Sequence, residues 1–209
     1  MAKFNLNDSS VVCIIGSGAG GGTLGNELAQ KGIKVVCLEA GPRLKLDDIK
    51  NDFLGMFGKL SWLDSREGTG QLDAGLPAWI CKVVGGTTVH WAGASLRFQP
   101  HEFKARTTYG QIDGANLLDF PITYDDLADY YTKAENKMGT TGTGGRARLP
   151  GNNNYKVLEY GAKKMGYKDV HTGNMSINSK PYDGRPECQQ IGHCMSGCAI
   201  GAKWSTMYT

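Results

Sequence analysis

"VVCIIGSGAGGGTLGNELAQKGIKVVCLE", residues 11–39, decides the architecture, because within about thirty residues it reads as strand, glycine turn, helix and strand, the size of one βαβ unit. Val11 to Ile15 is a continuous apolar run, the pattern of a parallel strand covered on both faces. Leu24 and Leu28 lie four apart on one face of the helix that follows, and Gly32 is placed to end that helix through a left-handed cap. Ile33 to Leu38 supplies the second strand.

The turn itself, "GSGAGG", sets Gly16, Gly18 and Gly21 in the spacing G-x-G-x-x-G. Alone this pattern is weak, since the chain holds 30 glycines; the strand before it, the helix after it and the acid Glu39 closing the next strand raise it. Gly16 permits the tight turn, Gly18 lets a pyrophosphate approach the backbone, and Gly21 lets helix and strand pack closely. Free N–H groups at the helix start attract phosphates, and Glu39 would accept hydrogen bonds from the ribose hydroxyls of an adenosine. The unit therefore predicts a Rossmann-like dinucleotide site, without choosing between FAD and NAD.

The rest of the chain bounds the reading. With 209 residues, 40% hydrophobic and 21% charged, it has the composition of a globular protein with a sizeable core. No run approaches the roughly 18 apolar residues of a membrane span, and the first residues lead into a strand without an export leader. Twenty-three basic and 20 acidic residues are scattered with no basic stripe, so a nucleic-acid partner has no electrostatic support. Residues 42–80 read as a long surface excursion with a short helix near Phe53 to Leu60. In "PITYDDLADYYTKAENKMG", Thr123 can cap, Asp125 and Asp126 suit a first turn, and Leu127, Tyr131, Ala134 and Met138 predict a packed helical face before Gly139. Thr140 to Asn154 is loop chemistry, and Tyr155 to Met165 predicts a further helix closed by Gly166.

Six cysteines divide into two kinds. Cys13 and Cys37 sit within strand-like runs and Cys81 before an apolar pair, where a thiol behaves as a buried, inert hydrophobe. Cys188, Cys194 and Cys198 are clustered in "CQQIGHCMSGC", residues 188–198. Three soft thiolates on one short loop select an iron-sulfur cluster or zinc, or remain redox thiols. Structural zinc wants four ligands, and the nearby fourth, His193, adjoins Cys194 in sequence, where side chains tend to diverge. Glycines at 192, 197 and 201 would let the loop wrap closely.

A second glycine turn lies in "VVGGTTVHWAGASLR", residues 83–97. Together with "GSGAGGG", "LEAGPR" and "FPITYDDLADYYTKAENKMG", it resembles the glucose-methanol-choline oxidoreductases, FAD enzymes that oxidise alcohols and sugars. The resemblance implies that Gly85, Gly86, Thr87 and Thr88 contact the flavin. His90 stands where some members bond the flavin covalently; the alternative is a packed side chain beside Trp91, a position where many members carry asparagine. "RPECQQIGHCMSGCAIGAKWST" is similar to the flavoprotein subunits of bacterial membrane-associated sugar and sugar-acid dehydrogenases of the gluconate, glucose, sorbitol and fructose types. There the matching cysteines hold a 3Fe-4S cluster, the acceptor is a cytochrome c subunit, and a small partner subunit carries the export signal.

What the resemblance implies is thus an α/β fold with a Rossmann-like FAD-binding βαβ core, incomplete, with loop-rich excursions and an iron-sulfur loop at the C-terminal end. Along the chain it implies a βαβ unit at 1–41, an excursion with a flavin-contacting segment (81–98) within 42–118, a helical segment at 119–166 and the cluster loop at 167–209. The expected activity is FAD-dependent oxidation of a CH–OH group in a sugar, sugar acid or polyol, with electrons leaving through the cluster. The expected place is the periplasmic side of a bacterial inner membrane, through partner subunits alone, with the cytoplasm as alternative. The family's catalytic histidine, paired with asparagine or a second histidine, comes from a C-terminal half. His101, His171 and His193 match nothing catalytic, so that pair is expected beyond Thr209 and the chain alone is expected to be inactive. Two other readings stay open: a non-catalytic nucleotide-binding fragment with structural zinc, and an NAD-linked reductase, for which no nicotinamide-site residues are visible.

Overall fold

The computed structural model describes residues 4, 5, 7–60 and 81–208. The part of the predicted excursion that falls on 61–80 lies outside the described residues. The chain forms two compact units, Met1–Gly93 with Cys188–Thr209, and Ala94–Glu187.

The first unit opens with the predicted βαβ: β1 (Val11–Ile15), α1 (Ala19–Gln30) and β2 (Lys34–Leu38). The strands are parallel, with Val11 opposite Lys34 and Ile15 opposite Leu38. Helix α1 ends as its sequence predicts, for Gly32 takes φ +77° and donates to the Ala29 carbonyl while Ile33 N–H reaches Leu28.

The apolar run of β1 is not covered on both faces. Ile14 is buried beneath α1, whereas Ile15 is 88% exposed, and Leu38 opposite it is exposed as well. Among the described residues this sheet has two strands and one covering helix, so the opposite face meets solvent. The two strand cysteines are corrected as well: Cys13, on the open face, and Cys37, in register with Ile14, are both exposed, and of the three thiols expected to be buried Cys81 alone is.

The apolar core of this unit lies instead in the segments beyond β2. Leu44, Ile49 and Met56 pack with Cys81, Val83, Val89 and Met207. Full burial of such side chains contributes about 1.5–3 kcal/mol each. Met56 belongs to α2 (Phe53–Leu60), the short helix expected there.

The second unit carries α3 (Ala105–Tyr109), α4 (Tyr124–Met138) and α5 (Asn153–Lys164). Thr123 caps α4 as predicted: its Oγ1 accepts from Asp126 N–H, and Asp126 Oδ2 in return accepts from Thr123 N–H at 2.8 Å. Gly139 closes the helix at φ +71°. The packed face is centred differently from the expected one. Ala134 is exposed and Glu135 is buried, because Arg97 grips the Glu135 carboxylate from both sides, Nε to Oε1 and Nη2 to Oε2 at 2.7 Å each. No helix among the described residues is long and apolar enough to cross a membrane.

Candidate functional site

The first glycine turn is built as its spacing requires. Gly16 takes φ +86° and its N–H donates to Leu38 O at 2.8 Å, continuing the sheet pairing into the turn. A Cβ on Gly21 would overlap the Gly16 carbonyl oxygen and press on Ile14, so glycine is what lets α1 start this close to the strand. Gly18 caps α1 with no side chain, and the first turn of the helix holds no acid. Its leading N–H groups and the positive end of the helix dipole are left for an anion.

Glu39, at the end of β2, folds over this turn. Its Oε2 accepts from Ser17 N–H (2.9 Å) and Ser17 Oγ (2.6 Å), and its Oε1 accepts from Gly41 N–H (2.9 Å). Partial burial pushes the carboxyl upward, but these bonds outweigh it and hold the pKa below the ordinary glutamate value. Glu39 is thus an ionised acceptor placed beside the turn.

The second glycine turn docks against the first. Gly85 and Gly86 take φ +96° and +52°, and a Cβ on Gly86 would stand 2.9 Å from the Gly18 Cα. Gly85 N–H donates to Ser17 Oγ at 3.0 Å. Two stretches of bare backbone therefore meet, at the N-terminus of α1, where a Cβ on Gly86 would crowd Gly18. Thr87 is exposed. Thr88 is buried, its hydroxyl donating to Gly85 O at 2.5 Å and lying 2.9 Å from Ser205 Oγ. His90 is 6% exposed, and burial, helped by the Lys203 ammonium, lowers its pKa, leaving the imidazole neutral at pH 7.

Sequence reasoning missed what holds the two turns together. Residues 201–207, "GAKWSTM", form the longest unbroken buried stretch among the described residues, and side chains or carbonyls of its last five residues grip the turns or the strand end. Thr206 Oγ1 donates to Ser17 O (2.8 Å) and lies 3.1 Å from Gly85 O. Trp204 O accepts from Trp91 Nε1 at 3.0 Å, which gives a partner to the indole that departs from the family pattern. Met207 O accepts from Arg43 at 2.7 Å. Lys203, 1% exposed, donates to Val89 O, Trp91 O and Cys194 O at 2.9, 2.6 and 2.7 Å. Burial lowers its pKa to about 8, against the opposing pull of Cys194 and Cys198. The hydroxyls of Thr88, Ser205 and Thr206 make one buried polar knot, which reaches the first turn at the Ser17 carbonyl. The sequence signal for it was the run of small hydroxylated residues in "WSTM", which carries no periodicity.

Cys188, Cys194 and Cys198 are each half-buried on the loop that leads into this strap. Gly192, Gly197 and Gly201 all take positive φ, at +92°, +113° and +80°, and give the loop its folds. Burial pushes the Cys194 thiol up, Lys203 draws it down, and Cys198 and Cys188 are both near enough to push it up again. His193 does not join them as a ligand; its ring packs on Phe53 at 5.9 Å. Among the described residues no three His, Cys, Asp or Glu side chains converge as they would around one ion. In number and softness the three thiols suit an iron-sulfur cluster, and the bare-backbone cradle at Gly18 and Gly86 suits a dinucleotide. His101 and His171 are exposed and belong to neither place.

No family model matches the chain. By sequence it is a relative of sugar- and alcohol-oxidising dehydrogenases and oxidases, and the resemblance to the glucose-methanol-choline oxidoreductases is borne out. It is 31% identical to the fructose dehydrogenase large subunit of Gluconobacter japonicus, over 96% of this chain and 42% of that protein. It is likewise 31% identical to the 6'''-hydroxyparomomycin C oxidase of Streptomyces lividus, over 92% of this chain and 36% of the oxidase. The gluconate 2-dehydrogenase flavoprotein of Pantoea cypripedii is 28% identical, over 62% of this chain and 25% of its own length. The chain therefore spans less than half the length of each of these relatives.

Proposed function

We propose that this chain carries the FAD site and the cluster loop of a dehydrogenase that oxidises a CH–OH group of a sugar, sugar acid or polyol and hands electrons to a cytochrome c. The observation that carries the FAD reading is the meeting of two glycine turns at an uncapped helix start. FAD, when bound, supplies a two-electron acceptor for hydride, and a 3Fe-4S cluster supplies one-electron transfer. The residues themselves do the holding. N–H groups following Gly18 receive the pyrophosphate, Gly16 and Gly21 keep the turn tight, and the Glu39 carboxylate accepts from the ribose. Gly85, Gly86 and Thr87 offer backbone and a solvent-facing hydroxyl to the flavin, and Thr88 braces the turn from behind. His90, buried with its pKa lowered, is the residue that would hold the flavin covalently where it is so attached. Cys188, Cys194 and Cys198 are the cluster ligands.

In this reading residues 1–41 and 81–98 make the cofactor site, 119–166 is a helical segment and 167–209 holds the cluster. The catalytic histidine pair is assigned beyond Thr209. The relatives named as a large subunit and as a flavoprotein support a place in a multi-subunit complex with a cytochrome c subunit and a small export-carrying subunit. Membrane association on the periplasmic side would then come through those partners. A zinc-bearing, non-catalytic nucleotide-binding fragment is the competing reading. Anaerobic purification followed by an absorbance spectrum and iron, sulfide and zinc assays separates the two. Flavin bands with iron and acid-labile sulfide are expected, and zinc without iron refutes the cluster assignment. Acid precipitation tests His90: a yellow pellet is expected of the covalent form, and a colourless one removes it.

A further inference from the structure

The least expected side chain in the first unit is Lys203. It is the largest fully buried side chain in the described chain, and each of its hydrogen bonds goes to a main-chain carbonyl. Burying an ammonium costs several kcal/mol before its bonds are counted. A methionine would fill a similar volume at no such cost, so packing alone does not call for lysine here. What the ammonium provides is three donors in three directions, and three carbonyls take them. Two, Val89 O and Trp91 O, flank His90 in the second glycine turn. The third belongs to Cys194 in the cysteine loop. The segment that follows is pinned to both glycine turns through Ser205 and Thr206.

We infer that Lys203 is a positioning residue that couples the dinucleotide cradle to the cysteine loop: with FAD bound against the joined glycine turns, the peptides around His90 are fixed, and through Lys203 the loop bearing Cys194 and Cys198 is fixed with them. The inference rests on the FAD site proposed above. By linkage the coupling is reciprocal, so an ordered cysteine loop tightens FAD binding by the same factor.

The test uses the metal-free chain, alkylated with iodoacetamide and mapped by peptide mass spectrometry, with and without FAD, while flavin fluorescence records binding in the same samples. In the wild type, FAD is expected to slow labelling of Cys194 and Cys198 by about tenfold, within the usual range of coupling energies. In Lys203→Met, FAD should still bind but protect these thiols less than about twofold. A residue that merely props up the fold would raise labelling equally with and without FAD, so the ratio is the diagnostic. Buried Cys81 reports on folding: its continued protection certifies the variant. Should Lys203→Met expose Cys81, Lys203→Gln, which keeps two of the three donors, serves in its place, with protection reduced but present. Failure of the wild type to bind FAD sinks the cofactor reading and this inference with it. Binding without protection sinks the coupling alone, and full protection in a folded Lys203 variant removes Lys203 from it.

Discussion

Within α1, Gly21 and Gly25 should respond to the same substitution with opposite signs. Alanine in a helix interior gains about 0.8–1.0 kcal/mol over glycine from the lost freedom of the unfolded chain. At Gly25 that gain stands uncontested, because a Cβ there would meet Ile14 Cδ1 at 3.4 Å and Val35 Cγ1 at 3.8 Å, ordinary contact that also buries a methyl group. At Gly21 a Cβ would overlap the Gly16 carbonyl oxygen and lie 3.0 Å from Ile14 Cγ2. A carbonyl cannot swing aside as a side chain does, and Gly16 is tied to Leu38 by its own N–H, so helix and strand must part. Such overpacking costs about 1–3 kcal/mol or more, of which the propensity gain recovers about one. Gly21→Ala is expected to lose about 2 kcal/mol and Gly25→Ala to gain about 1, or melting shifts of about 4–8 °C down and 2–4 °C up for a chain of this size. Thermal melts followed by circular dichroism read both. A Gly21→Ala protein as stable as the wild type would refute the argument that the turn and α1 touch through their backbones.

Two further outcomes follow from buried charge. Glu39 has its folded pKa held below the unfolded value of about 4.3, so its contribution to stability is present above that pH and is lost as pH falls from there through the folded value. Acid titration of Glu39→Gln should lack this loss, and superimposable acid limbs would show that Ser17 and Gly41 do not stabilise the carboxylate. In the second unit Arg97→Met strands the buried Glu135 carboxylate and should cost about 3 kcal/mol, most of it regained when Glu135→Met is added. A double variant no more stable than Arg97→Met, measured by urea unfolding, would contradict this.

The βαβ unit was legible because it is local. Its strand, turn and helix signals lie within thirty residues, and the structure places β1 and β2 within a residue of the reading, with α1 between them. The apolar content of β1 was read correctly, but its surroundings were not, since a run such as Val11 to Ile15 records a preference for burial and says nothing of which neighbours supply it. Cys13 and Cys37 share that fate. On α4 the helix and its Thr123 cap came from nearby residues, while the burial of Glu135 depended on Arg97, far upstream, and no helical pattern announces a carboxylate as the packed position. At the candidate site the glycines carried their own signal. The strap did not: Lys203 reads as a solvated cation, and the partners of Ser205 and Thr206 lie more than a hundred residues away.

That remoteness sets an order of events during synthesis. Ser17 and Thr206, which meet through a 2.8 Å hydrogen bond, are 189 positions apart. At a ribosomal rate of about 5–20 residues per second, the first glycine turn emerges about 10–40 s before the hydroxyl that fastens it. The nascent cradle must wait that long unlatched, until the 201–207 segment arrives to lock it.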